Sequence, residues 1–204
     1  AALETTDLVV VSTTNLLALT SSQISALTAT QVEFLTTLQA AALSSGNLSA
    51  LTTSQLLVLE VADLASVSVL SLRSLSETQI AVLTTLQIAG LTTVQVSGLT
   101  SNLLAALTTD QIVALTTTQA AALNTANANA LTTTQLASMQ VADLAAMGSS
   151  SVRALSSTQI GALLTLQVAG LTTTQVLGLS TANVAALSTD QIAALQTADF
   201  AVLS

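Results

Sequence analysis

Cysteine, proline, histidine, tryptophan, tyrosine and lysine are all absent from this 204-residue chain, and its aromatic content rests on two phenylalanines. Without cysteine there is no disulfide framework and no thiolate metal site. Without histidine or lysine the many serine and threonine hydroxyls have no neighbouring base to make them nucleophiles, so a hydrolytic triad is excluded. Charge is scarce as well: charged residues are 6% of the chain, and two arginines face ten acids for a net charge of −8. Such a chain cannot neutralise a row of phosphates, and nucleic acid and anionic membrane surfaces are poor partners for it. No cationic N-terminal region precedes an apolar block, and no apolar run approaches the roughly 18 residues of a membrane span, so neither a targeting segment nor a transmembrane segment is expected.

What is present is apolar, at 51% of residues. That content with so little charge argues for a packed fold over disorder. The apolar residues are strictly placed. From Leu3 to Leu203 in steps of eight, all 26 positions are apolar, and 22 are Leu; Val11, Val67, Met139 and Met147 are the exceptions. Numbering these as position 1 of an octad, position 6 is apolar from Leu8 to Phe200, shrinking only at Ala40, Ala120 and Ala128. Position 5 is Gln, Asn or Asp in 22 of 25 copies, as in Gln23, Gln95, Asn127 and Gln175, and departs from this at Ser71, Leu103 and Ser151. The consensus is L-T-T-x-Q-[IV]-A-[AG]. A longer period of ten octads is superimposed: Val61 to Ala65, VADLA, recurs at 141–145, Arg73 is matched by Arg153, and Gly90 by Gly170. No composition shift interrupts residues 1–204, which read as one continuous octapeptide-repeat solenoid, a piece of a longer array.

A continuous helix would need 4.0 residues per turn to keep an eight-residue stripe on one side, which is too far from 3.6. Flat strand alternation fails because positions 1 and 6 have opposite parity. A β-solenoid is the alternative architecture, but its corners favour Gly, Asn or Asp, and seven glycines are few for 25 octads. Short helices fit better. Thr or Ser at position 2 followed by Gln at position 5 is a capping box, as in Thr92/Gln95, Thr116/Gln119, Thr132/Gln135 and Thr172/Gln175. Positions 6 and the next 1 are three apart and share a helical face. The predicted fold is therefore all-α, a solenoid with one very short capped helix per octad. One octad cannot offset its own ordering entropy with two buried side chains, so neighbours must share their faces. Because ten octads divide into five pairs, two octads per coil is the natural expectation. Gly90, Gly98, Gly170 and Gly178, all at position 8, point to close approach between successive turns.

No chemistry-bearing constellation emerges, and no catalytic, cofactor-binding or metal residue is assigned; no cofactor is expected. Glu60 and Asp63 lie three positions apart, but the copy ten octads on has Gln140 in place of Glu60, and a solvated or cap-forming pair is the plainer reading. Asp63/Arg73 and Asp143/Arg153 are repeated opposite charges, read as a helix cap and an arginine covering or pairing with the adjacent coil. Calcium-binding D-x-D-x-D-G runs and G-G-x-G-x-D nonapeptides are missing.

The octads Leu91-Thr92-Thr93-Val94-Gln95-Val96 and Leu171-Thr172-Thr173-Thr174-Gln175-Val176 resemble the low-charge Leu/Thr/Gln repeat tracts of very large secreted bacterial surface proteins of the adhesin type. That resemblance implies an extracellular or cell-surface structural role. The expected function is a rod, stalk or self-assembling filament or layer, with self-association as the partnership and no enzyme activity. Apolar residues at variable positions, such as Leu57, Val58, Val69, Leu70, Val113 and Leu177, are expected on the surface, where they favour assembly. The alternative is binding of ice or another repetitive surface through a regular threonine array, which requires position 3 to lie on a flat exposed face.

Overall fold

The computed structural model describes residues 4–195 and Asp199; among them are 24 α-helices and no strand, which excludes the β-solenoid. Leu3, Phe200 and Leu203, the outermost core positions of the octad register, lie outside the described residues. The chain divides into two compact units, Ala1–Leu99 and Thr100–Ser204. The first holds α1 (Thr5–Val10), α2 (Thr13–Leu17), α3 (Ser21–Ser25), α4 (Ala29–Glu33), α5 (Thr37–Ala41), α6 (Ser45–Ala50), α7 (Thr53–Val58), α8 (Val61–Ser66), α9 (Val69–Leu72), α10 (Glu77–Ala81), α11 (Thr85–Gly90) and α12 (Thr93–Gly98). The second holds α13 (Ser101–Ala105), α14 (Thr109–Val113), α15 (Thr117–Ala121), α16 (Thr125–Ala130), α17 (Thr133–Ser138), α18 (Val141–Ala146), α19 (Ser149–Arg153), α20 (Ser157–Gly161), α21 (Thr165–Ala169), α22 (Thr173–Leu177), α23 (Thr181–Ala185) and α24 (Thr189–Ala194).

Each described octad thus makes one helix of four to six residues, and a capping box starts most of them, the exceptions being α2, α8, α9, α13, α18 and α19. At α12 the Gln95 N–H donates to Thr92 Oγ1 at 3.1 Å, while the Thr92 N–H donates back to Gln95 Oε1 at 2.8 Å. Where the cap hydroxyl is missing, half the box survives: the Leu164 N–H still donates to Gln167 Oε1 at 2.8 Å. Helices end without the left-handed glycine common at C-termini, since no described residue has a positive φ. Instead position 1 turns extended, as at Leu91 (φ −61°, ψ 143°), and hands over to the next cap at Thr92 (φ −69°, ψ 156°).

In both units each helix packs on the helix three places along: α5 on α8, α8 on α11 and α6 on α9 in the first, α15 on α18, α18 on α21 and α16 on α19 in the second. A coil is therefore three octads, and the expectation of two is corrected. The ten-octad period is not a whole number of such coils, so its division into pairs carried no structural meaning. Three helices per coil direct positions 6 and 1 into one interior. Leu48, Leu56, Leu64 and Leu72 are fully buried there, with Leu51, Leu59 and Val67 beside them; Leu104, Ile112, Leu136 and Leu144 repeat the arrangement in the second unit. Each such side chain contributes about 1.5–3 kcal/mol of burial.

Candidate functional site: the polar seam between coils

The chemically distinctive part of each unit is a row of polar side chains that is buried, not exposed. Position 5 supplies it: Gln39, Gln55, Gln87 and Gln95 in the first unit, and Gln135, Gln159, Gln167, Gln175 and Gln191 in the second, are all buried. Their Oε1 atoms are committed to the capping box, and their Nε2 atoms reach the preceding coil. Gln87 Nε2 donates to the carbonyls of Leu56 and Leu59, each at 2.8 Å; Gln95 Nε2 donates to Leu64 at 2.9 Å and Val67 at 2.8 Å. In the second unit Gln167 Nε2 donates to Leu136 and Met139, both at 2.7 Å. The acceptors sit at the helix end of the coil below, where backbone carbonyls run out of intrahelical partners. One amide therefore starts its own helix and satisfies the end of another.

The shorter position-5 side chains do part of this work. Asn47 Nδ2 donates to the Leu19 carbonyl at 3.1 Å and Asn183 Nδ2 to Leu155 at 2.9 Å. Ser71 Oγ donates to Leu43 at 2.8 Å and Ser151 Oγ to Leu123 at 2.7 Å, so two of the sequence departures keep the seam closed.

Asp63 and Asp143 break the series. Both are buried at position 5, and in each the Oδ2 atom is buried without a hydrogen-bond partner. The other Asp143 oxygen, Oδ1, accepts from the Thr117 hydroxyl at 2.8 Å; Asp63 takes the corresponding hydrogen bond from Thr37. These aspartates do not cap their helices, contrary to expectation: the N-cap residues of α8 and α18 are Glu60 and Gln140, neither with a side-chain cap bond. An aspartate at the third helical position, drawn toward a hydroxyl of the coil below, is turned away from the cap. Arg73 and Arg153 are exposed at the ends of α9 and α19, where a cation suits the helix dipole. Burial pushes the Asp63 carboxyl above the ordinary carboxylate range; the Thr37 hydrogen bond pulls against this, and the charge of the exposed Glu60 adds to it.

Position 3 lies at the same seam. A Cβ placed on Gly90 would stand 2.0 Å from Val61 Cγ1, one on Gly98 2.4 Å from Val69 Cγ1, and one on Gly170 2.2 Å from Val141 Cγ1. The close approach expected at these three glycines is thus that of a valine from the coil below, whereas at Gly178 the nearest atom of that coil to such a Cβ is the Ser149 carbonyl oxygen at 3.6 Å, an ordinary contact. A match to a known family spans residues 1–37, 56–93, 136–173 and 173–204, more than half of the chain, and its description is the ALTTAQ repeat. The chain belongs to the ALTTAQ repeat family. Ala114-Leu115-Thr116-Thr117-Thr118-Gln119 and Ala130-Leu131-Thr132-Thr133-Thr134-Gln135 stand here in that pattern. No curated protein matches the chain. In ALTTAQ terms the structure gives each letter a place: Leu in the core, the first Thr as cap, the second at the seam, and Gln tying coil to coil.

Among the described residues no group of three or more His, Cys, Asp or Glu side chains is placed to hold a metal ion, and no helix is long and apolar enough to cross a membrane. A shallow open groove in the second unit is bordered by Ser149, Arg153, Thr174, Leu177 and Gly178. Outside the seams the apolar surplus lies on the surface, mostly at position 4: Leu38 is 74% exposed and Leu86 72%, with Leu70, Val94 and Leu166 similar. Leu57, Val113 and Leu177 are exposed too, whereas Val58 and Val69 are half-buried.

Proposed function

We propose that this ALTTAQ array is a structural segment of a large secreted bacterial surface protein, extracellular, acting as a rod, stalk or self-assembling filament or layer, and that it is not an enzyme. The observation that carries this reading is the division of labour just described. Buried polar groups are used in joining coil to coil, and the exposed surface offers leucines such as Leu38, Leu70, Leu86 and Leu166 with few charges around them. A net charge of −8 spread over 204 residues gives weak mutual repulsion. Copies of the chain are the partners such a surface suits. The rival is a threonine lattice that binds ice or another regular surface; position 3 is exposed or half-buried in every described copy, but valine interrupts the threonines at Val61, Val69 and Val141, and the Thr117 hydroxyl is taken by Asp143 of the next coil.

Sedimentation of the purified chain tests the proposal. Self-association is expected, strengthening as pH falls from neutral toward the sequence pI of about 4.1. A monodisperse monomer at high concentration throughout that range would overturn assembly as the function.

A further inference from the structure

We propose that Asp63 is held as the neutral acid and donates its proton to the coil below, which makes the α5–α8 seam a pH-sensitive joint. The series at position 5 is the main ground. In the first unit Gln39, Gln55, Gln79, Gln87 and Gln95 each donate to the carbonyl 28 residues earlier, and so do Asn47 and Ser71. Applied to Asp63, the same register puts the Leu35 carbonyl at that place. A carboxylate can only accept, and two acceptors with no proton between them repel. Asp63 Oδ2 is buried and has no partner, although the rest of the side chain is hydrogen-bonded to Thr37. Placing the proton on Oδ2 turns it into the donor that all its neighbours in the series supply.

The surroundings favour the neutral form. The elements packed against α8 are α5 and α11, and neither contains an ionisable side chain. Glu60, at the N-cap of α8 itself, is negative and disfavours a second charge beside it. Within the first unit α5 and α8 pack directly on each other, and the Asp63 Oδ2 atom between them is closed off from solvent, which disfavours a charge there. The arrangement is built twice: Asp143, over Thr117, has the same orphan Oδ2 in the α15–α18 seam, with Gln140 where Glu60 stands.

A group whose neutral form is favoured by folding contributes stability that is complete below the ordinary aspartate range and is lost as pH rises through its raised folded value. Between those two values the folding constant is expected to fall by up to tenfold per pH unit. Asp63→Asn carries a permanent donor of the kind Asn47 and Asn183 use at this position, and is expected to remove that loss. The experiment is urea unfolding of the full chain and of D63N across the acidic to neutral range, together with a carbon-13 titration of the Asp63 carboxyl in the unaltered chain. The proposal expects a D63N to wild-type ratio of folding constants that grows with pH and then levels, and an Asp63 midpoint above that of free aspartate. A ratio constant with pH, or an Asp63 midpoint at or below that of free aspartate, overturns it. The titration needs no variant, so it decides the matter even if D63N folds poorly.

Discussion

Val61 and Gly90 meet across one seam as a knob and its socket: the valine Cγ1 occupies the space where any Cβ at residue 90 would have to go. Gly90 closes α11, and its φ is not in the left-handed region, so glycine is there for room and not for backbone freedom. Gly90→Ala would ordinarily gain roughly 0.5–1 kcal/mol in a helix. Here it is expected to cost about 1–3 kcal/mol through overpacking against a stiff β-branched side chain. Val61→Ala in the same chain should return most of that loss, and a double-mutant cycle by urea unfolding reads the coupling.

Gln87 joins a cap to two carbonyls of the coil below. Replacing it with Leu leaves the Leu59 carbonyl without its donor and the Thr84 N–H without its acceptor, while the Leu56 carbonyl keeps the Leu59 N–H. A loss of about 2–4 kcal/mol is expected, since each stranded buried group costs roughly 1–3 kcal/mol. The exposed Gln23 makes the cap bonds alone, and Gln23→Leu should cost no more than about 1 kcal/mol. Equal losses in the two variants would mean that the reach to the preceding coil contributes nothing.

Glu60 is exposed and its charge raises the Asp63 value. Glu60→Gln reproduces the neighbourhood of Asp143 and is expected to lower the Asp63 midpoint and narrow the pH window in which stability is lost. High salt should do the same in part, because this contribution is screened through solvent. Carbon-13 titration of E60Q at low and high salt checks both.

Leu38 and Leu86 lie on α5 and α11 and are both largely exposed. Changing both to Lys should weaken the proposed self-association in sedimentation while leaving the circular dichroism unchanged, because neither side chain enters the core. Loss of helical signal would show that they support the fold instead.

Much of the fold was legible in the octad. Leu at position 1, Ile or Val at 6 and the Thr-to-Gln box announce a capped helix and its inner face, and Thr92 with Gln95 forms the box as expected. The number of octads per coil was not, because caps and core positions are local and identical whatever the pitch. The signal that could have given it is the pairing of rare residues. Val61, Val69 and Val141 at position 3 each have a glycine at one fixed offset further on, at 90, 98 and 170, and three octads plus the step from position 3 to position 8 account for that offset. The buried acid was hidden for a related reason. Glutamine at position 5 explains itself fully as a capping residue, so nothing in the pattern announces that its amide nitrogen has a second task, or that Asp63 in the same place lacks the means to do it.

Three octads per coil also bear on how such a gene can change length. Gain or loss of a single octad preserves the reading frame, every cap and every core leucine, yet it shifts each later helix onto a different neighbour below. Interchangeable octads tolerate this. The keyed ones do not: a duplication between Val61 and Gly90 would bring the valine against the residue that precedes the glycine by one octad, Val82, which has no space to offer. Copy-number variation in this array is therefore expected to be mild in whole coils and damaging in single repeats wherever such a key is crossed.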